Sequence, residues 1–449
     1  MRRTLLLFIF ILSTVYAGEN KPTTLVFPSR MHIPIRKATK FHLFLYAQNK
    51  IKVNDPQGIA VTRLWSWEDN TTTDDDDEIT IYGVNSGQGV VVYNASMYSL
   101  GFYGLREKGN QRLKKPHGIT AAPWGDVYVA DTGNDRVVHL FNPKNKLKYV
   151  RALGADTIKK PMDVELTSDS VLFVSDTGNN RVLRFKNDVL QKTIISAGRD
   201  TGKVWQPTGL AAISRKERWS FWHEEFLIVI DLDGKRLQKF SFNGEFEGAV
   251  LLKDIGFKNA RMQYLEIDYY GQIWVTDKQN HCIYKFDRNL QFLDKFGKKG
   301  KDDFEFIQPR GISFHRQLGQ VLIAEKEAAQ YYWIGTDVMQ ASATYSDAGY
   351  IEVRFFLTEP SYVAVDLLHQ QQSRTMHPIK KKRLQTGMNT LYFDANGRYI
   401  PARIIEGKPR FLREGVPFTN KNKIQIRLKL SATYSSYKYF EREIILEVE

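Results

Sequence analysis

Two stretches of this chain write the same turn, VADTGNDRVVHLF from Val129 and VSDTGNNRVLRF from Val174. Their acids stand 45 residues apart, at positions 131 and 176. Further copies form a ladder. Each opens on Pro-x-Gly-hydrophobic or a degraded form of it, at Pro56, Pro116, Pro161, Pro207, Met262 and Pro309, so the unit recurs every 45 to 60 residues. A β-rich run follows and ends in an acid, at Asp131, Asp176, Asp231, Asp277 and Glu325, with Asn85 in the first copy. A third run closes on an aromatic, as in RVVHLF and RVLRF, and a fourth run follows.

This repetition constrains the fold more than any composition figure. Four short strands make a sheet with two apolar faces, and only a ring of such sheets covers both faces of every one. The chain therefore reads as all-β, with a six-bladed β-propeller over residues 40–338 behind a lead segment at 18–39. The segment Phe41–Tyr46 reads as a fourth-type strand placed ahead of any first strand. The sixth unit, after AQYYWIG, runs out without one. The N-terminal strand is thus expected to complete the last blade and close the ring.

The acid and an Arg keep fixed register: Asp131 with Arg136, Asp176 with Arg181, and Asp231 with Arg236, each five apart. A reactive acid is needed once, whereas a strut is needed in every blade, so these residues read as architecture. The acid ends one strand and the Arg begins the next, which lets them bridge across the turn. Thr-Gly-Asn between them suits left-handed turn positions and local side-chain hydrogen bonds.

Through Pro-x-Gly-hydrophobic and hydrophobic-Asp-Thr-Gly-Asn-x-Arg-Val, residues 40–340 resemble the NHL repeat. The sixth copy departs from that pattern, because AEKEAAQYYWIG keeps neither the Asn nor the Arg. The resemblance implies six blades, and it implies secreted relatives that are metal-dependent lyases with catalytic His and acids at the propeller mouth. In this chain the "x" of Pro-x-Gly is expected to ring one mouth and bind ligand: Gln57, His117, Met162, Thr208, Gln263 and Arg310. Only one of these is His and its neighbours are neutral, which does not support three-His ligation. No catalytic residue, metal or cofactor is assigned. Cys282 falls at the Arg position of the fifth copy and reads as a small core residue.

Beyond Asp337 the repeat stops. Alternating strands, Ile351 to Leu357 and Tyr362 to Leu368, then GMNTLYFDANG and KIQIRLKLSATY, read as a β-sandwich over residues 339–449. Its order resembles the immunoglobulin-like domain of flagellar hook-capping proteins, with Lys380–Arg383 as a basic turn. Such domains imply a spacer or attachment role.

The chain begins with two Arg, an apolar run from Leu5 to Leu12, and Val15-Tyr16-Ala17, the layout of a secretory signal cleaved after Ala17. That run is shorter than the ~20 residues a membrane span needs. Cleavage removes Arg2 and Arg3 and takes the net charge from +14 to +12, which favours anionic surfaces such as acidic polysaccharide. Export argues against nucleic acid. The single cysteine allows no intrachain disulfide. The acidic run Thr71–Glu78 lacks the glycine and ligand alternation of a calcium loop and reads as a solvated hairpin. The functional reading is a secreted, periplasmic or cell-surface scaffold that binds a protein, peptide or polysaccharide. The alternative is a metal-dependent propeller lyase or hydrolase.

Overall fold

The computed structural model describes residues 23–28, 36–47, 50–67, 79–96, 99–144, 146–369, 374–406, 408–419, 423–434 and 440–449. The signal segment 1–17 and the acidic run 71–78 lie outside the described residues. Two units form, one over Phe27–Trp333 and one over Ile334–Glu449 with the residues up to Val26.

In the first unit five antiparallel sheets each take four consecutive strands, from Pro56–Arg63 in the first to Phe292–Phe296 in the fifth. The sixth holds Pro309–His315, Gln320–Glu325 and Ala328–Ile334, joined by Lys37–Thr39. Middle strands such as Val171–Asp176 and Phe226–Asp231 are buried along their whole length, because both faces of each sheet pack on a neighbour. That is why they read as continuous apolar runs rather than alternations. One buried cluster joins Val129 and Val138 to Tyr82 and Val91, and the next joins Val137 to Val174 and Leu183. Each such side chain contributes roughly 1.5–3 kcal/mol by leaving water.

The first strands of neighbouring sheets meet around the axis, and this contact explains the glycine of Pro-x-Gly. Gly58 N–H donates to the His117 carbonyl at 3.0 Å, and Gly118 N–H donates to that of Met162 at 2.9 Å. A Cβ on Gly58 would lie 2.7 Å from the same His117 oxygen, and one on Gly311 would lie 2.5 Å from Ile59 N. That last approach joins the sixth blade to the first, so the ring is closed as a six-bladed propeller.

The outer closing strand differs from expectation. Lys37–Thr39 pairs with Ala328–Ile334, Lys37 opposite Gln330 and Thr39 opposite Ala328. Phe41–Tyr46 is not a strand but lies in the helix Lys40–Ala47. Leu43 and Ala47, four apart, pack with Ile51 and Val90, which is helical spacing. Thr39 N–H donates to His42 Nδ1 at 3.2 Å, three residues on, in the manner of a capping box.

The second unit is a β-sandwich. One sheet runs Val338–Tyr345, Ile351–Leu357, Gly387–Phe393, Tyr399–Ile400, and the other Arg374–Leu384, Ser361–His369, Ile424–Ala432, Arg442–Glu447. Alternate residues Ile351, Val353 and Phe355 meet Val363, Val365, Ile426 and Leu428 in its core. Lys380–Arg383, expected as a turn, lies inside the strand Arg374–Leu384, where Lys381 sits 4.1 Å over the Tyr362 ring. Among the described residues no helix is long and apolar enough to cross a membrane.

Candidate functional site in the propeller channel

The repeated turn is a clamp on the chain entering each blade. Asp131, Asp176 and Asp231 are fully buried and meet Arg136, Arg181 and Arg236 at 2.8, 2.7 and 2.6 Å. The same carboxylates accept backbone N–H groups of the incoming loop, Lys114 and Lys159 both at 2.7 Å. The Arg and the Asn donate to carbonyls two residues earlier in that loop, Arg112 in one copy and Thr157 in the next. Thr132 and Thr177 hydroxyls reach forward to the Pro161 and Pro207 carbonyls of the following blade. Asp277 and Glu325 hold the same place without Arg. Tyr284 hydroxyl donates to Asp277 at 3.0 Å and Gln330 to Glu325 at 2.6 Å. All of these groups are occupied with backbone.

The Pro-x-Gly end of the channel is filled by its own side chains. Gln57 and Gln263 are buried and bond to each other at 2.9 Å, and Tyr264 hydroxyl adds a bond to Gln57 at 3.2 Å. Arg310 pairs with Asp55 at 2.7 Å, and Gln57 donates to the same oxygen at 3.0 Å. His117 contacts the Thr132 hydroxyl at 3.0 Å, and burial pushes its pKa down despite the nearby Asp55 charge. Met162 and Thr208 use their backbones in the ring: Met162 carbonyl accepts from Gly118, and Thr208 carbonyl accepts from Ser175 at 2.8 Å. Three of the six positions, Gln57, Gln263 and Arg310, are linked to one another, the last through Asp55.

The opposite end is open. A cavity of about 570 Å³ runs along the first strands and out between the loops that follow them. That volume falls in the range of small-molecule sites, ≈ 300–1,000 Å³. Its chemistry comes from one column of the repeat, four residues after the Pro: Ala60, Thr120, Glu165, Ala211, Glu266 and Ser313. Small residues fill four places and carboxylates two. Those two copies are also the ones that lost the glycine, to Asp163 and Tyr264.

Glu266 is held by Arg316 at 2.8 Å, and the same guanidinium reaches Glu217 at 3.7 Å and donates to the Ile267 carbonyl at 2.7 Å. Burial pushes the Glu266 carboxyl up, while Arg316 and the Ile267 N–H pull it back. Glu165 is raised well above the ordinary carboxylate range, first by burial and then by the Glu266 charge, with Arg316 opposing. The arrangement favours one carboxylic acid beside one ionised carboxylate. His315 also lines the cavity. Burial, then the Arg63 charge, lowers it to about 4, so it is neutral, and its Nδ1 is buried without a hydrogen-bond partner.

Tryptophans frame the exit. Trp65 is 59% exposed and stands 5.8 Å from Trp124, whose Nε1 is fixed on Asp126 at 2.6 Å. Trp219 lies across from them in the cavity wall, with Arg218 stacked 4.9 Å from its ring. Four acidic and four basic side chains line the cavity, and burial raises two of the acids, Asp163 and Glu165, well above the ordinary carboxylate range. Among the described residues no group of three or more His, Cys, Asp or Glu could hold a metal ion. Glu165, Glu266, Arg316 and His315 are not among the residues expected from the sequence, which lie at the Pro-x-Gly end. For Glu165 and Glu266 the sequence carries a signal, a charged residue in a column that is otherwise small; for Arg316 and His315 it carries none.

Residues 113–140, the second copy, match the NHL repeat. Among solved structures the chain is similar to virginiamycin B lyase from Staphylococcus aureus, at 16% identity, TM-score 0.41, over 57% of this chain and 76% of that one. It is also similar to a gluconolactonase from Xanthomonas campestris, at 12% identity, TM-score 0.44, over 70% of this chain and 96% of that one. A calcium-binding protein, regucalcin, from Agrobacterium tumefaciens matches at 11% identity, TM-score 0.42, over 61% and 83%. No curated protein matches the sequence. At these distances no residue role passes from those proteins to this one.

Proposed function

We propose that this chain is an exported binding protein whose propeller takes a neutral, polyhydroxylated ligand, such as the end of a glycan, in the open end of its channel. The observation that carries this reading is that Glu165 and Glu266 line one cavity, where burial and the Glu266 charge raise Glu165. A protonated carboxyl donates, an ionised one accepts, and the neutral His315 offers an unused nitrogen, which together suit hydroxyl groups. The tryptophan rim suits the apolar faces of sugar rings. Export is supported by the apolar run at Leu5–Leu12 followed by Val15-x-Ala17. The sandwich serves as the spacer or attachment module.

The test is calorimetric titration of the full chain with a panel of neutral oligosaccharides. One or more should bind, and Glu165→Gln and Trp124→Ala should each weaken binding about tenfold or more. Absence of binding across the panel, or binding that survives both changes, overturns the proposal. An acid beside a carboxylate is also the pairing used in acid–base hydrolysis. If bound oligosaccharide is cleaved, and cleavage is lost in Glu165→Gln while binding is retained, the site is hydrolytic.

A further inference from the structure

The helix Lys40–Ala47 leaves its most apolar side chains in water. Phe41, Phe44, Leu45 and Tyr46 are 64%, 51%, 54% and 49% exposed, while only Leu43 and Ala47 pack inward on Ile51, Val90 and Phe102. Phe41, Phe44 and Leu45 are three and four apart and share one face. Helical stability in proteins comes from burying such a face, so an apolar face turned outward calls for a second apolar phase.

Charge identifies that phase. From Lys37 to Asn54 the sequence contains Lys37, Lys40, Lys50 and Lys52 and no acidic residue. Lys37 and Lys40 are neutralised within the fold by Glu325 at 3.6 Å and Glu327 at 3.1 Å. Lys50 and Lys52 follow the helix and are exposed. Apolar side chains beside exposed lysines gain both by entering the headgroup boundary and by attraction to anionic lipid. A second copy fits less well. The four side chains expose on the order of 400 Å², so two copies would cover roughly 800 Å² in total, below the ~1,200 Å² of a stable interface.

We propose that this helix docks the propeller on an anionic phospholipid surface, with Phe41, Phe44 and Leu45 entering the headgroup boundary and Lys50 and Lys52 on lipid phosphates. The surface is separate from the channel and does not depend on what the channel binds.

Cosedimentation with vesicles tests this on the full chain. Vesicles of phosphatidylglycerol in phosphatidylcholine should carry down the wild type, and phosphatidylcholine alone should carry far less. Combining Phe41→Ser, Phe44→Ser and Leu45→Ser should lower partitioning by about tenfold or more, with an unchanged melting temperature because the side chains are exposed. Lys50→Glu with Lys52→Glu should remove the preference for phosphatidylglycerol and its salt dependence. The apolar run at Leu5–Leu12 is common to every variant, so only the differences count. Equal binding by wild type and the serine variant overturns the proposal. So does a wild type that ignores the vesicles, including one that sediments as a dimer which the serine variant dissociates.

Discussion

Asp231 and Arg236 show what the repeated pair contributes at the scale of single side chains. Their side chains are 0% and 4% exposed, whereas Arg181, opposite Asp176, is 29% exposed. Stranding a buried charge costs roughly 3–5 kcal/mol and an exposed pair is worth about 0–1 kcal/mol. Asp231→Asn should therefore destabilise more than Asp176→Asn, and both more than a surface change. All eight tryptophans precede residue 334, so denaturation followed by tryptophan fluorescence reads the propeller alone. Equal, negligible losses would show that the clamp is not a strut. His139 gives a pH dependence. Its ring nitrogens meet Asp126 at 3.0 Å and Asp188 at 2.8 Å. Burial opposes its charge, but the two carboxylates prevail and raise it to about 9, while both Asp are lowered by their bonds to it. A raised histidine stabilises below its unfolded value near 6.5 and loses that contribution as pH climbs to about 9. The lowered acids contribute above the ordinary carboxylate range and fail as pH falls through it. The stability gap between wild type and His139→Gln should be widest from about pH 4 to 6.5 and should close as pH rises through the histidine titration. A gap that widened with pH would refute the triad.

At the scale of elements, the propeller is held by two closures of different strength. The inner closure is steric: a Cβ on Gly311 would press on Ile59 N, Gln57 O and Gly58 C, all within 2.8 Å and all backbone. Backbone cannot rotate away, so Gly311→Ala should cost about 1–3 kcal/mol by pushing first and sixth blades apart. Gly109→Ala is the control for space alone, since nothing lies within 4 Å of its Cβ, though its φ of +55° adds local strain. A Gly311→Ala protein as stable as wild type would show that the inner strands are not in close contact. The outer closure includes the short strand Lys37–Thr39. The repeat order calls for a closing strand from the N-terminal side, and that strand starts four residues before Phe41. Thr39 caps a helix there, and the cap depends on His42 and on a floor of Ile51 and Val90 that no local pattern reveals.

For the whole molecule, Cys282 is buried at the place an Arg takes in other blades, and burial pushes its thiol up to about 12. The native protein should resist thiol reagents and react stoichiometrically only when unfolded. Rapid labelling of the folded chain would show that the fifth blade opens. How the molecule was legible follows from what kind of contact each feature needs. The number of blades, the all-β class, the sandwich and the Asp–Arg register are legible in the chain, because a ring of like units repeats its strand pattern in every blade and the Asp–Arg contact in three of them. The cavity lined by Glu165, Glu266 and Arg316 exists only in the assembled ring. Gln57 and Gln263, 206 residues apart in sequence, bond to each other at the Pro-x-Gly end. Glu165, Glu266 and Arg316 come from three blades and become a site only when closure of the ring removes water around them. A repeat announces itself locally, whereas a shared cavity is a property of the ring, where each blade supplies one side chain and the fold supplies the proximity and low dielectric that give those side chains their chemistry.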